Sequence, residues 1–378
     1  MTTIGIFHEN FAQNGGAERV VESMARLFPG ADVLSTITVP SRLSPYMGRR
    51  GVRTTWMQGL PRLDRWFRYY VPLYPFAVLS SKTGGYGFVL SSCFGFAKGL
   101  RKSANAIHIC YCHTPPRWIW RADDYSARER WGTLLRIPLK AFVSVARRWD
   151  ILASRQPDIY IANSTAVAER LYCFYGRDSL VLHPPIELER FHVSDSVQSY
   201  YLVVSRLVPY KRIDLAIEAC NRLGRKLKVI GDGPDRTRLE GMAGPTVEFL
   251  GRRPDSEVED HFSQCRALLL PGEEDFGLTP LEANASGRPV IAYGVGGPVD
   301  TVIDGKTGII FDEPSGESLA AGILRLEGIR WDSAVLRRHA TNFGMEIFHE
   351  RLKKTVVSVL SERGLTDVIS EIERSVAS

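Results

Sequence analysis

Two carboxylates and two cations carry the chemistry this sequence is best equipped to do. In Pro271-Gly-Glu-Glu-Asp-Phe-Gly-Leu-Thr-Pro-Leu-Glu282, Glu274 and Glu282 stand on either side of an expected helix start. Thr279-Pro280-Leu281-Glu282 also has the spacing of a capping box with proline at the first helical position, so one reading of Glu282 is that it only satisfies helix amides. The other reading looks at the backbone. N–H groups near Phe276, Gly277 and Leu278 would be left facing outward, where they suit a phosphate or a sugar hydroxyl. Some sixty residues earlier, Ser205-Arg206-Leu207 is followed closely by Lys211-Arg212. A guanidinium fork and a compact ammonium suit a diphosphate, and they meet the charge that develops when one departs. A merely solvated basic helix start is less favoured, because cations at a helix N-terminus oppose its dipole unless an anion is near.

Weaker signals accompany these. Gly231-Asp-Gly233-Pro and Asn14-Gly15-Gly16 each follow an expected strand and would let backbone approach a phosphate, or would simply turn the chain; Gly294-Val-Gly296-Gly297 is open to the same two readings. A dinucleotide fingerprint is missing: Gly231-x-Gly233 continues to Arg236, where glycine or alanine would be needed, and the first loop has no G-x-G-x-x-G. His113-Thr-Pro115 leaves a strand end from which an imidazole can project toward a ligand. Segment 56–76 interleaves Arg62, Arg65 and Arg68 with Trp66, Phe67, Tyr69, Tyr70 and Tyr74. It suits the headgroup layer of an anionic membrane or, equally, a buried helix and loop with a cationic edge in water. Nucleic-acid binding is disfavoured, since no recognised module accompanies the cations.

Something must hold these groups in place. Residues 3–7 read as a strand, then a glycine loop, then a helix carrying Val20, Val21, Met24 and Leu27 on one face. Strand patterns recur at 86–92, 107–112 and 158–162, the last followed by a helix from Thr165. After a proline break at 183–195 the alternation restarts with Tyr200–Ser205, a helix over Ile213–Leu223, and strands at Lys226–Ile230 and Ala267–Leu270. Strands alternating with helices predict mostly parallel sheets, with ligand loops at the strands' carboxyl ends. At 378 residues, two domains are expected. The expected boundaries are 1–182, a linker at 183–195, a second domain at 196–345 and a helical segment at 346–378.

Composition narrows the class. With 44% hydrophobic and 24% charged residues, the chain is neither disordered nor fibrous. A net charge of +6 favours anionic partners. Six scattered cysteines suggest no disulfide framework. Cys110-x-Cys112-His113 lacks a second cluster to complete a metal site, so buried strand cysteines are expected. No apolar run reaches membrane-spanning length, and the start, Met-Thr-Thr-Ile-Gly-Ile-Phe, has no export pattern; a cytoplasmic protein is expected.

Taken in order, Gly15-Gly-Ala-Glu-Arg19, His113-Thr-Pro, Ser205-Arg-Leu with Lys211, Gly231-Asp-Gly-Pro, and Glu274 with Glu282 as E-x7-E resemble glycosyltransferase family 4, over nearly the whole chain. The resemblance implies an α/β GT-B architecture: two Rossmann-like domains with a cleft between them and a C-terminal helix crossing back to the first. It implies that Arg206 and Lys211 bind the donor diphosphate, that Gly15 and Gly16 approach it from the opposite lobe with Gly231 and Gly233 lining the site, and that Glu282 holds the ribose. Glu274 and the amides of Phe276, Gly277 and Leu278 would hold the transferred sugar, and His113 would contact it near the reacting carbon. Retention of configuration without metal or other cofactor is implied.

Tyr111-Cys-His-Thr-Pro-Pro-Arg-Trp-Ile-Trp120 and His183-Pro-Pro-Ile-Glu-Leu-Glu-Arg-Phe191 further resemble enzymes that assemble bacterial surface polysaccharides. The expectation is transfer of mannose from GDP-mannose to a polyprenyl-diphosphate-linked saccharide at the inner face of the cytoplasmic membrane, with Arg62, Arg65, Trp66, Arg68 and Tyr69 meeting acceptor or lipid. UDP-glucose or another UDP-sugar is the alternative donor. A catalytically silent scaffold that binds nucleotide sugar or membrane is the alternative of another class.

Overall fold

In the computed structural model the structure describes residues 4–13, 15–121 and 133–377. Asn14 of the first glycine loop, and Thr3 at the start of the first expected strand, lie outside the described residues. The chain divides into two compact units, one of Met1–His183 with Phe348–Ser378, the other of Pro184–Ile347.

The first unit holds a parallel sheet of β1 (Ile4–His8), β2 (Asp32–Ser35), β3 (Arg53–Thr54), β4 (Phe88–Cys93), β5 (Ile107–Cys112), β6 (Ile159–Ala162) and β7 (Ser179–Val181), in the order β3-β2-β1-β4-β5-β6-β7. Side chains alternate across it, as a strand's period of two requires. Ile4, Ile6 and Ile109 enter one core with Met24, Phe348, Leu352 and Val356, whereas Phe7, Val89, Cys110 and Cys112 enter the other with Tyr160 and Val167. Both faces are covered, which is why these strands read as nearly continuous apolar runs. The helix Met345–Glu362 returns the chain to this unit, and its apolar face completes the first core.

The second unit holds β8 (Tyr200–Val204), β9 (Lys226–Ile230), β10 (Val247–Gly251), β11 (Ala267–Leu270), β12 (Val290–Tyr293) and β13 (Gly308–Phe311), in the order β10-β9-β8-β11-β12-β13. This is the doubly wound order, in which the chain reverses direction across the sheet between β8 and β11. The segment 183–195, expected as a linker, is packed rather than extended. From Pro184 it belongs to the second unit, with Ile186 and Phe191 buried in its core. The Ile186 amide donates to the Phe343 carbonyl at 2.9 Å, and the Arg337 guanidinium donates to the Phe191 carbonyl at 2.8 Å. Prolines blocked regular structure here, but side-chain packing and a guanidinium supplied the order that ladder hydrogen bonds could not.

Charge is buried in the first unit beyond the carboxyl ends of β1 and β4. Lys98 and Asp150, 1% and 0% exposed, pair at 2.5 Å, and Asp150 also accepts from Trp120 at 2.8 Å and Tyr175 at 2.6 Å. Glu9 lies nearby, accepting the Phe96 amide at 2.8 Å. A Cβ on Gly95 would come within 2.4 Å of the Glu9 carboxylate, which would then have to move. Burial, helped by the Cys93 charge, pushes the Glu9 carboxyl up to about 8 despite the Phe96 amide and Lys98. A folded-state value above the unfolded one stabilises fully at low pH, and that stabilisation is lost as pH rises through the folded value. The melting temperature of the wild-type chain should therefore fall between about pH 4.5 and 8 by the equivalent of a few kcal/mol, and Glu9→Gln should flatten that fall. Parallel melting profiles for the two proteins would contradict this assignment.

Candidate functional site

The loops after β8, β9, β11 and β12 form a layer held together by glycines. After β8, the Ser205 amide donates to the Ile230 carbonyl at 3.0 Å and the Leu207 amide to the Asp232 carbonyl at 3.1 Å. These bonds draw the 205–212 loop onto the 231–235 loop so tightly that a Cβ on Gly231 would lie 1.8 Å from the Ser205 oxygen, and one on Gly233 2.2 Å from the Leu207 oxygen. Gly231 also has φ +135°, open to glycine alone. Both glycines thus serve close loop packing.

The 271–278 loop is clamped from two sides. A Cβ on Gly272 would fall 2.5 Å from the Lys211 oxygen, and Cβ atoms on Gly296 and Gly297 would fall 2.1 Å from the Glu274 oxygen and the Phe276 Cα. The Gly297 amide donates to the Glu274 carbonyl at 2.9 Å. For Gly294-Val-Gly296-Gly297 the structure therefore gives a third role, a backing layer for Glu274. Gly272 was not singled out from sequence; lying between Pro271 and Glu273 directly after a strand, it had the signal of a position where a neighbouring backbone comes close.

This packing brings Lys211 and Glu274 together. Their side chains form an ion pair across the point between β8 and β11 where the chain reverses, each 16% exposed. Arg212, next in sequence, turns away to Asp214 at 3.2 Å through a left-handed backbone at φ +51°. The negative charge in the helix's first turn thus answers Arg212, while Lys211 is directed at Glu274. Arg206 is exposed, and its guanidinium makes no ion pair among the described residues.

At the end of the 271–278 loop, Phe276 is 3% exposed and packs into the core beside Phe343, while Gly277 follows at φ +82°. The buried ring and the left-handed turn fix the backbone before the helix Thr279–Ala285. The amides of Gly277 and Leu278 donate to no acceptor among the described residues. The capping box is not formed: Leu278 is the N-cap, no side chain caps the helix, and Pro280 takes its second position. The phenylalanine anchor shifts the helix start one residue earlier than the sequence spacing suggested, so Thr279 lies inside the helix and cannot be its cap. Glu282 sits in the first turn, partly exposed.

In the first unit, the amide of Gly15 donates to Glu18 at 3.0 Å at the start of the helix Gly16–Leu27, and Gly16 is exposed. His113 stands directly after β5, with its Nε2 2.8 Å from the Ser92 hydroxyl. The segment 56–76 is partly buried and partly outward. Leu63 and Tyr74 enter the core with Phe67 and Tyr70 against it, whereas Trp56, Trp66, Tyr69 and Phe76 are exposed. Arg62 lies over the Trp66 ring at 5.0 Å, Arg65 pairs with Asp64 at 3.6 Å, and Arg68 donates to Gln13 at 3.1 Å. Beside Trp56 is a cavity of about 610 Å³ whose lining includes Phe7, Leu34, Arg53 and Lys82. Among the described residues no group of three or more His, Cys, Asp or Glu side chains could hold a metal ion. No described helix is long and apolar enough to cross a membrane.

Residues 186–342 match the family model "Glycosyl transferases group 1". A D-inositol 3-phosphate glycosyltransferase of Geodermatophilus obscurus is 29% identical over 280 residues, 61% of this chain and 62% of that protein. A GDP-mannose-dependent alpha-mannosyltransferase of Mycobacterium tuberculosis is 37% identical over 115 residues, 30% of each chain. The chain spans from 20% to 62% of the lengths of three such relatives, the lowest share being that of a Streptomyces coelicolor exopolysaccharide phosphotransferase. Among solved structures, sucrose-phosphate synthase from Thermosynechococcus elongatus superposes with a TM-score of 0.73 at 18% identity, covering 95% of this chain and 100% of that one. Anabaena HepE in complex with UDP-glucose superposes at 0.69 and 17% identity, covering 94% and 99%. The fold is GT-B, and the stretch that matches the glycosyl transferases group 1 model, residues 186–342, carries Arg206, Lys211, Glu274 and Glu282.

Proposed function

We propose that this chain is a retaining glycosyltransferase of family 4 that moves a hexose, first of all mannose from GDP-mannose, onto a polyprenyl-diphosphate-linked saccharide. The Lys211–Glu274 pair, with the Gly277 and Leu278 amides that meet no acceptor among the described residues, is the observation that carries this reading. A diphosphate placed on Arg206 and Lys211 would have its charge met as the bond from sugar C1 to phosphate oxygen breaks. Glu274 orients the Lys211 ammonium and accepts from a sugar hydroxyl, the Gly277 and Leu278 amides donate to the same sugar, and Glu282 holds the ribose. The acceptor oxygen attacks C1 on the face the diphosphate leaves, and its proton passes to the departing phosphate oxygen. Bonds and charge then balance without a metal or other cofactor.

Mannose is favoured by the matches to GDP-mannose-dependent mannosyltransferases, which cover about a third of this chain. The acceptor is assigned to the first unit, which carries Gly15, Gly16 and His113. The exposed Trp56, Trp66, Tyr69 and Phe76, flanked by Arg62, Arg65 and Arg68, suit the headgroup layer of an anionic membrane at the cytoplasmic face, where a lipid-linked saccharide would be met. The cavity beside Trp56 combines apolar walls with Arg53 and Lys82, a lining suited to an amphiphilic anion.

A panel of labelled nucleotide sugars incubated with the chain and membrane lipid extract should move label from GDP-mannose into the lipid fraction. Label moved only from UDP-glucose or another UDP-sugar would overturn the donor, and label moved from none would overturn the enzyme. Lys211→Ala and Glu274→Ala should each lower turnover by roughly 100-fold or more while leaving the protein folded; undiminished turnover in either folded variant would remove that residue from the site. Vesicles rich in anionic lipid should bind the wild-type chain less as salt is raised, and replacing Arg62, Arg65 and Arg68 together by glutamine should weaken partitioning by roughly 100-fold. Equal partitioning of both proteins would show that this face does not meet lipid.

A further inference from the structure

The cavity beside Trp56 lies wholly within the first unit and has a construction that donor binding does not explain. Its floor is apolar, with Phe7 and Leu34 0% and 6% exposed. Trp56, half exposed, forms one wall, and its indole Nε1 donates to the Ser80 hydroxyl at 3.1 Å, which fixes the ring. Arg53 on β3, the register partner of Leu34, stands at the rim. Its Nη1 donates to Asp32 at 2.8 Å and to the Tyr86 hydroxyl at 3.1 Å, and Tyr86 donates to the same Asp32 oxygen at 2.8 Å. The guanidinium is thus held by one nitrogen. Its Nε and Nη2 edge, a side of the fork that can meet two oxygens at once, has no acceptor among the described residues. Lys82 adds a second cation, exposed and without an ion pair among the described residues. No carboxylate among the described residues lines the cavity.

The rest of the lining limits what can enter. The hydroxyls of Ser35, Thr55, Ser80 and Ser81 each donate to a backbone carbonyl, at 3.1, 2.8, 2.9 and 3.0 Å. With those protons spent, the cavity has few donors for a sugar or a nucleobase, whose polar edges would be buried unpaired. An alkyl chain has no such need. A volume of about 610 Å³ falls within the range of small-molecule sites, about 300–1,000 Å³. Two cations with no carboxylate beside them in the lining match the roughly two negative charges of a lipid diphosphate or a phosphate monoester better than the single charge of a phospholipid diester.

We propose that this cavity is a lipid-phosphate site, with phosphate oxygens on the open edge of Arg53 and on Lys82 and the first apolar carbons of the chain against Phe7, Leu34 and Trp56. Asp32 and Tyr86 are positioning residues that set the Arg53 fork before the ligand arrives. Identifying the ligand as the diphosphate-linked lipid carrier of the acceptor rests on the glycosyltransferase reading; the binding itself does not.

Calorimetric titration of the full chain with farnesyl phosphate, without any nucleotide sugar, tests this. The wild-type chain should bind it. Farnesol, with the same chain and no charge, and inorganic phosphate, with the charge and no chain, should each bind at least roughly tenfold more weakly. Lys82→Gln removes no ion pair and Arg53→Gln only an exposed one, so both variants should melt as wild type does. Each should weaken farnesyl phosphate binding by roughly tenfold. The chain with Arg62, Arg65 and Arg68 all replaced by glutamine should bind it as wild type does, since none of the three lines the cavity. Equal binding of farnesol or of inorganic phosphate, undiminished binding by either folded variant, or no binding at all overturns the proposal. Displacement of farnesyl phosphate by phosphatidylglycerol vesicles would give the site to membrane phospholipid and overturn the carrier. Absence of turnover with every nucleotide sugar, alongside the expected titrations, overturns the glycosyltransferase reading alone.

Discussion

Lys211 and Glu274 are joined by an ion pair that exists only because of the strand order of the second unit. They lie more than sixty residues apart in sequence, at the ends of β8 and β11, which are neighbours in the sheet although two strands and three helices separate them along the chain. Where a doubly wound sheet reverses, the loops from its two central strands diverge and leave backbone groups open to a ligand. The pair stands at that reversal. An ammonium paired with the Glu274 carboxylate, with an exposed guanidinium in the same loop, is positive charge positioned in advance, and pre-positioned charge is what makes electrostatic stabilisation of a leaving group effective.

The glycines make this arrangement rigid. Gly231 and Gly233 let the loops after β8 and β9 touch through backbone alone, Gly272 brings the Glu274 loop against the Lys211 backbone, and Gly296 and Gly297 close it from behind. Any side chain at these positions would meet a carbonyl oxygen or a backbone carbon at well under 3 Å. Such contacts fix where the Lys211 and Glu274 side chains begin, and hence how short the distance between them can be. The buried Phe276 ring, followed by the left-handed Gly277, does the same for the amides next to them.

Much of this was legible in the sequence, for identifiable reasons. Strands buried on both faces leave apolar runs that stand out, so Ile107–Cys112, Lys226–Ile230 and Ala267–Leu270 were readable, as was the helix Ile213–Leu223 with its apolar stripe. Short strands such as Arg53–Thr54 and Ser179–Val181 were not, because two or three residues at a sheet edge, partly exposed, show no period. The 183–195 segment looked like a linker since its prolines cannot join a ladder, yet Arg337, from over a hundred residues away, satisfies its carbonyls. Glu282 carried a capping-box spacing that the structure does not use, because the buried Phe276 sets the backbone before the helix. Lys211 and Glu274 were each recognisable by residue type and position after a strand.

The central claim is that the loops of the second unit hold the diphosphate of an activated sugar. A crystal structure of the chain with an intact nucleotide sugar tests it most directly. The account predicts phosphate oxygens within hydrogen-bond distance of Lys211 Nζ and the Arg206 guanidinium, with the sugar against Glu274 and the amides of Gly277 and Leu278. A nucleotide sugar bound with its phosphates away from both cations would contradict it.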